Sequence, residues 1–283
     1  MDWHKGERSR NVEIGSGGGP RFGGGRGLGL GGLVILAILG WVFFKDPMAL
    51  LDQGGPQVSS LPAGQQAPVD PQQQDFVSAI LGSADKTWGD IFAGQRRGYA
   101  PPIVHLFSGA VSTACGSAST AVGPFYCPGD RKVYLDLSFF DELQNRFHAE
   151  GDFARAYVIA HEVGHHVQNL LGVFDQVEQA RRGGVPMEGA AGLSVRQELQ
   201  ADCFAGVWAN RSQQRLQWLQ AGDIEEALNA ASRIGDDTLQ RETRGEVVPD
   251  SFTHGSAAQR VKWFRAGFAS GDIGQCNTFA GAP

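Results

Sequence analysis

Residues 152–172, "DFARAYVIAHEVGHHVQNLLG", decide the fold. Asp152 suits an N-cap and Gly172 a C-terminal stop. Between them Phe153, Ala156, Tyr157, Ala160, Gly164, Val167 and Leu171 recur at i, i+3 and i+4, the stripe of a helix packed into a core. Into that helix the chain sets His161, Glu162 and His165, the pattern H-E-x-x-H. Residues four apart share a helix face, so both imidazoles can aim at one ion about 2 Å away. Glu162 projects beside that ion, where it can take a proton from the water bound to it. Burying two histidines and a carboxylate in an apolar helix is costly without a ligand or partner. His166 points elsewhere around the helix and is expected to pack. Glu162-x-x-His165 also matches half of a di-iron site, but no second E-x-x-H occurs in the chain.

A catalytic zinc needs a third protein ligand. "QELQAD", residues 197–202, offers Glu198 and Asp202, again four apart on one helix. A solvated face is the other reading of this pair, and Arg196 and Gln200 show that the helix has one. The run "LQADCFAGVWA" is small and apolar, which argues for burial. Glu198 is then the ligand, and Asp202 hydrogen-bonds the far nitrogen of a metal-bound histidine and fixes its tautomer. One zinc per chain, held by His161, His165 and Glu198, would keep a fourth position open to water.

Around these two helices the patterning predicts an α+β domain, mainly helical with a small sheet. A helix is expected over 75–92, strands at "PIVHLF" and "KVYLDL", and a helix over 138–147 with Ser138 as N-cap. Ser194 and Gln197 suggest a capping box opening a helix that runs to about Ala209. Further helices are expected at 213–220, 223–234 and 255–269. "KVYLDL" is a candidate sheet edge on which a peptide could align as an added strand.

The N-terminal quarter differs in composition. Residues 1–26 carry a basic excess, and the segment between Arg26 and Lys45 is uncharged. Its length is at the short end of a bilayer span. No small-x-small cleavage site follows it, which favours an uncleaved signal anchor over 27–45. Its basic flank would keep the N-terminus in the cytoplasm and put the rest outside a bacterial inner membrane, in a single-pass arrangement. Residues 46–71, rich in Pro, Gln and Gly, read as a linker, and residues 72–283 as the folded domain. The net charge of −6 leaves an acidic body, which argues against a nucleic-acid partner. Four cysteines in an extracytoplasmic domain suggest disulfides. Cys115–Cys127 is the local pairing. Cys203 and Cys276 either form the second bridge or stand as buried thiols.

H-E-x-x-H followed by E-x-x-x-D on a later helix resembles the gluzincin metallopeptidases. The stretches "FSGAVSTACGSASTAVGPFYCPGDRKVYLDLSFFDEL", "YVIAHEVGHHVQNLLG" and "RQELQADCFAGVWA" resemble a bacterial family of neutral zinc metallopeptidases, across most of the chain except the linker. The resemblance implies His161, His165 and Glu198 as zinc ligands and Glu162 as general base. "SFTHGSAAQRVKWF" is similar to a T-H-x-x-x-x-x-R stretch of membrane-associated gluzincins. It puts His254 and Arg260 where a donor to the oxyanion would come from, although Gly255 stands where those relatives commonly carry Pro. His254 as an N-cap and Arg260 as a surface charge are the alternative. The expected function is a membrane-anchored zinc peptidase acting on protein or peptide substrates. A membrane-tethered binding module with a structural zinc is the rival, and Glu162 separates the two, since a closed structural site has no use for a carboxylate beside it.

Overall fold

The computed structural model describes residues 1–15, 69–119, 123–281 and 283. The first long helix, α1 (Pro71–Gly94), starts earlier than the apolar spacing suggests. Pro71 occupies its first turn and the Asp70 carboxylate accepts the backbone N–H of Gln72 at 2.9 Å. Phe76, Ile80, Ala84 and Trp88 follow at helical spacing and are buried.

Six short strands come next to, or before, this helix: β1 (Val12–Ile14), β2 (Ile103–Phe107), β3 (Ala110–Thr113), β4 (Gly116–Ser119), β5 (Phe125–Cys127) and β6 (Lys132–Asp136). β3 and β4 pair as a hairpin. The others form one sheet in the order β1-β2-β6-β5, with β1, β2 and β6 parallel and β5 antiparallel to β6. The expectation that "KVYLDL" forms a sheet edge is therefore corrected. β6 is hydrogen-bonded on both sides, its backbone groups are used, and no peptide can be added there.

Among the described residues seven further α-helices follow, α2 (Ser138–Asn145), α3 (Asp152–Leu171), α4 (Val173–Arg182), α5 (Leu193–Leu216), α6 (Asp223–Arg233), α7 (Asp236–Arg244) and α8 (Ala257–Ser270), with α3 lying against β5 and β6 and α5, α6 and α8 packed on other helices. The α+β expectation holds for the described residues. Boundaries differ where a long-range partner replaces a local cap. Asp152 begins α3 rather than capping it, and Glu226 of α6 accepts the Phe153 N–H at 3.0 Å. Gly172 does stop the helix, in the left-handed region at φ 79°. No capping box forms at Ser194, and α5 continues through 213 to Leu216. The capping box lies instead at Ser256 and Gln259, opening α8.

Residues 1–15 belong to the same fold. Trp3 is buried edge-on against Phe76 at 5.5 Å. Arg8 pairs with Asp75 at 2.7 Å, and β1 extends the sheet with Val12 opposite Val104. This overturns the single-pass arrangement. One span between residues 27 and 45 would place residues 1–15 and α1 on opposite sides of a bilayer, yet they share one core. Among the described residues no helix is long and apolar enough to cross a membrane, so the inner-membrane localisation and the fold with a transmembrane helix are not carried further. The expected span itself, 27–45, and most of the expected linker lie outside the described residues.

The chain closes two disulfides, Cys115–Cys127 and Cys203–Cys276, the first tying the β3–β4 hairpin to β5 and the second tying the C-terminal tail to α5.

Candidate metal centre

Helices α3 and α5 cross where both carry their polar residues. Gly164, inside the H-E-x-x-H run, makes the crossing close: a Cβ there would sit 3.0 Å from the Ala201 carbonyl oxygen and 3.1 Å from its Cα. That approach brings Glu198 and Asp202 of α5 against His161 and His165 of α3.

His161 Nε2 lies 3.2 Å from one Glu198 oxygen and His165 Nε2 lies 3.5 Å from the other. One ligand atom from each of the three residues falls within 4.8 Å of the others. Ligands about 2.05 Å from a tetrahedral ion stand about 3.3 Å apart, so the two histidine–Glu198 separations suit a zinc-sized cation. The far nitrogens are already engaged. His161 Nδ1 donates to Asp202 Oδ1 at 2.8 Å and His165 Nδ1 to Gln168 Oε1 at 2.9 Å. With the hydrogen on Nδ1, each Nε2 keeps its lone pair for a metal.

Electrostatics reinforce the division of roles. Burial works against the Glu198 carboxylate, but His165 and His161 outweigh it and hold its pKa well below the usual range, so it stays an anion. Burial pulls His161 down, yet Asp202 and Glu198 reverse this and the net shift is upward. Burial pushes Glu162 up, and the neighbouring histidines offset only part of it. Among the described residues none hydrogen-bonds the Glu162 carboxylate, in contrast to Glu198 and Asp202.

Behind the triad is a fully buried cluster. Asp202 accepts from His161, from the Tyr157 hydroxyl at 2.5 Å, and from Arg260 through Nε at 2.9 Å and Nη2 at 3.0 Å. Arg260 also donates to the Tyr157 oxygen at 3.2 Å and the Ile234 carbonyl at 3.4 Å. The expectation that Arg260 takes part in catalysis is corrected by this geometry. Its guanidinium is spent on Asp202, two residues removed from any reacting atom, and it is only 2% exposed rather than a surface charge. His254 is near enough for its charge to act on Glu198. Its Nδ1 faces Thr253 Oγ1 at 2.9 Å and Asp236 Oδ1 at 3.3 Å. Gly255 fits its place better than proline would: its φ of 90° is closed to Pro, and a Cβ there would crowd Val195 and Leu199 at 3.1 and 3.2 Å.

Two residues of this region escape sequence reasoning. Asp236 accepts the backbone N–H groups of Thr253, His254 and Gly255 at 2.7, 2.6 and 3.0 Å and so builds the loop that carries His254. Gln168 orients His165. A Gly-Asp pair at a helix start was visible for Asp236, whereas Gln168 carries no signal of its own. His166, expected to pack, is buried and bonds the Ala100 carbonyl and the Tyr126 hydroxyl, away from the triad.

Two histidines spaced by one helical turn and a carboxylate from a second helix, with a free glutamate beside them, define the class of H-E-x-x-H metalloproteins. The chain belongs to the family described as "Putative neutral zinc metallopeptidase", whose model matches residues 1–279. It is 46% identical over 285 residues to the uncharacterized protein YpfJ of Escherichia coli strain K12, covering 99% of each chain. It is 47% identical over 216 residues to the uncharacterized proteins Mb2605 of Mycobacterium bovis and Rv2575 of Mycobacterium tuberculosis, covering 73% of this chain and 70% of theirs. No solved structure matches it.

Proposed function

We propose that the chain is a zinc-dependent peptidase that cleaves protein or peptide bonds. The observation that carries this reading is Glu162: a buried carboxylate beside three pre-oriented ligands, with a raised pKa and no hydrogen-bond partner among the described residues. A structural site would leave such a group at a cost with no return. His161, His165 and Glu198 would hold the zinc, which when bound would supply the Lewis acidity that makes water a nucleophile near neutral pH and polarises a carbonyl. Glu162 accepts the proton of the attacking water and delivers it to the leaving amine. Asp202, held by Arg260 and Tyr157, keeps His161 in the tautomer that a ligand needs. In this reading His254, whose Nδ1 faces Asp236 and Thr253, donates to the developing oxyanion.

The test is Glu162→Gln. It should bind one zinc per chain like the wild type, keep the fold, and lose hydrolysis of a peptide library by about a hundredfold or more. A wild type that binds zinc and cuts no peptide would instead support the structural-zinc module.

A further inference from the structure

The second ligand, His165, is not backed by a carboxylate as His161 is. Gln168, fully buried on the next turn of α3, does this work with a neutral amide. An amide can point either way, so something must decide which end faces the histidine. The surroundings do. Gln168 Nε2 donates to the Gln197 carbonyl at 2.7 Å and to Gln200 Oε1 at 3.1 Å. Gln200 Nε2 in turn donates to the Cys276 carbonyl at 3.0 Å.

A backbone carbonyl can only accept. With Cys276 C=O at the end of the chain, Gln200 must present its nitrogen there and its oxygen to Gln168. Gln168 must then present its nitrogen to Gln200 and its oxygen to His165. His165 is left with its hydrogen on Nδ1 and its lone pair on Nε2, facing Glu198. The direction of Gln168 is thus fixed twice, directly by the Gln197 carbonyl of α5 and, through Gln200, by the Cys276 carbonyl of the C-terminal tail.

The tail is built to hold that carbonyl still. Cys276 is buried and bonded to Cys203 of α5. Two residues on, Thr278 is buried, donates its hydroxyl to the Arg196 carbonyl, and accepts from Arg196 Nη1 at 2.7 Å. Arg196 also donates to the Gly281 carbonyl at 2.8 Å. Both sides of the Cys276 carbonyl are thus anchored to the helix that supplies Glu198.

We infer that Gln168 and Gln200 are positioning residues of the metal centre, forming a one-directional amide relay by which the Gln197 carbonyl and, through Gln200, the disulfide-anchored C-terminal tail orient His165. This rests on the reading of His161, His165 and Glu198 as a zinc site.

The experiment measures zinc affinity of the full chain by competition with a chromophoric chelator, and the visible spectrum of the cobalt-substituted protein. Thermal melting of the metal-free forms reports stability separately. Gln168→Leu should lose zinc affinity by about tenfold to a hundredfold, the range for losing a partner behind a ligand, and should shift the cobalt bands. Gln168→Glu still accepts from His165 Nδ1 but loses both donor bonds, to the Gln197 carbonyl and to Gln200, and should fall between wild type and Gln168→Leu. Gln200→Leu should fall between, at about threefold to tenfold, because Gln168 keeps its bond to Gln197. Wild-type affinity and spectrum in Gln168→Leu would overturn the relay while leaving the zinc site standing. If that variant does not fold, Gln200→Leu decides in the same way. A wild type that binds no zinc would overturn the site itself, and the relay with it.

Discussion

Asp202, fully buried, and Asp85, half-buried on α1, are the same chemical group, and their acidities move in opposite directions. For both, burial pushes the pKa up. At Asp202 the Arg260 guanidinium and His161 outweigh burial and bring it down to about 2. Asp85, on α1 against residues 1–15, meets only neutral donors, Ser9 first at 2.8 Å, and rises to about 6. A carboxylate that must stay charged for a task is given cations. One that only anchors a segment is left to hydroxyls and amides, and its cost appears in the pH dependence of folding.

The strongest way to break this contrast is to remove Asp202. Asp202→Ala leaves Arg260 charged and unpaired in the core and should destabilise the metal-free protein by about 3–5 kcal/mol. Chemical denaturation in the presence of a chelator measures this, so that bound metal does not mask the loss. Asp85→Asn should act the other way. An Asp that ionises at pH 7 despite a folded pKa of about 6 is held at a cost of about 2–3 kcal/mol relative to its ordinary value. The amide keeps an acceptor for Ser9, so the variant should gain about 1–2 kcal/mol at pH 7.

The two aspartates also predict opposite slopes. Between pH 4 and 6 the folded chain binds a proton at Asp85 that the unfolded chain has released. Stability therefore falls as pH rises through that window, and Asp85→Asn should flatten the fall. Asp202 has its folded pKa below the unfolded one. Its contribution is present above pH 4 and is lost as pH falls toward 2. Melting temperature against pH, in wild type and Asp85→Asn, separates the two. The smallest effect sharpens the contrast from outside. Lys86 and Asp90, neighbours of Asp85 on α1, form an ion pair at 2.5 Å with half-exposed side chains. Lys86→Ala should change stability by no more than about 0.5 kcal/mol, because water already screens that pair.

The legible part of the centre is the part that follows local periodicity. His161, Glu162 and His165 are set by one helical turn, and Glu198 with Asp202 by another, so each pair could be placed on a helix face from spacing alone. The helix ends were less legible. Phe153 N–H is capped by Glu226, a carboxylate 73 residues away, and no local pattern announces such a partner. Arg260 was visible as a charge near a histidine, but its burial against Asp202 depends on α8 packing across α5. Residues 1–15 read as part of a cytoplasmic segment, residues 1–26, because their anchors, Phe76, Asp75 and the edge of β2, lie on the far side of the intervening segment.

What the sequence determined by itself is the chemistry available: two imidazoles and a carboxylate able to share an ion, a second carboxylate beside it, and four cysteines. What only the tertiary structure decided is which of those groups is free to react. Glu162, Glu198 and Asp202 are three acids within one site, and their surroundings separate through partners brought from α3, from α8 and from the loop after α7. Hydrogen bonding and burial are properties of neighbours in space, and in this chain the deciding neighbours are distant in sequence.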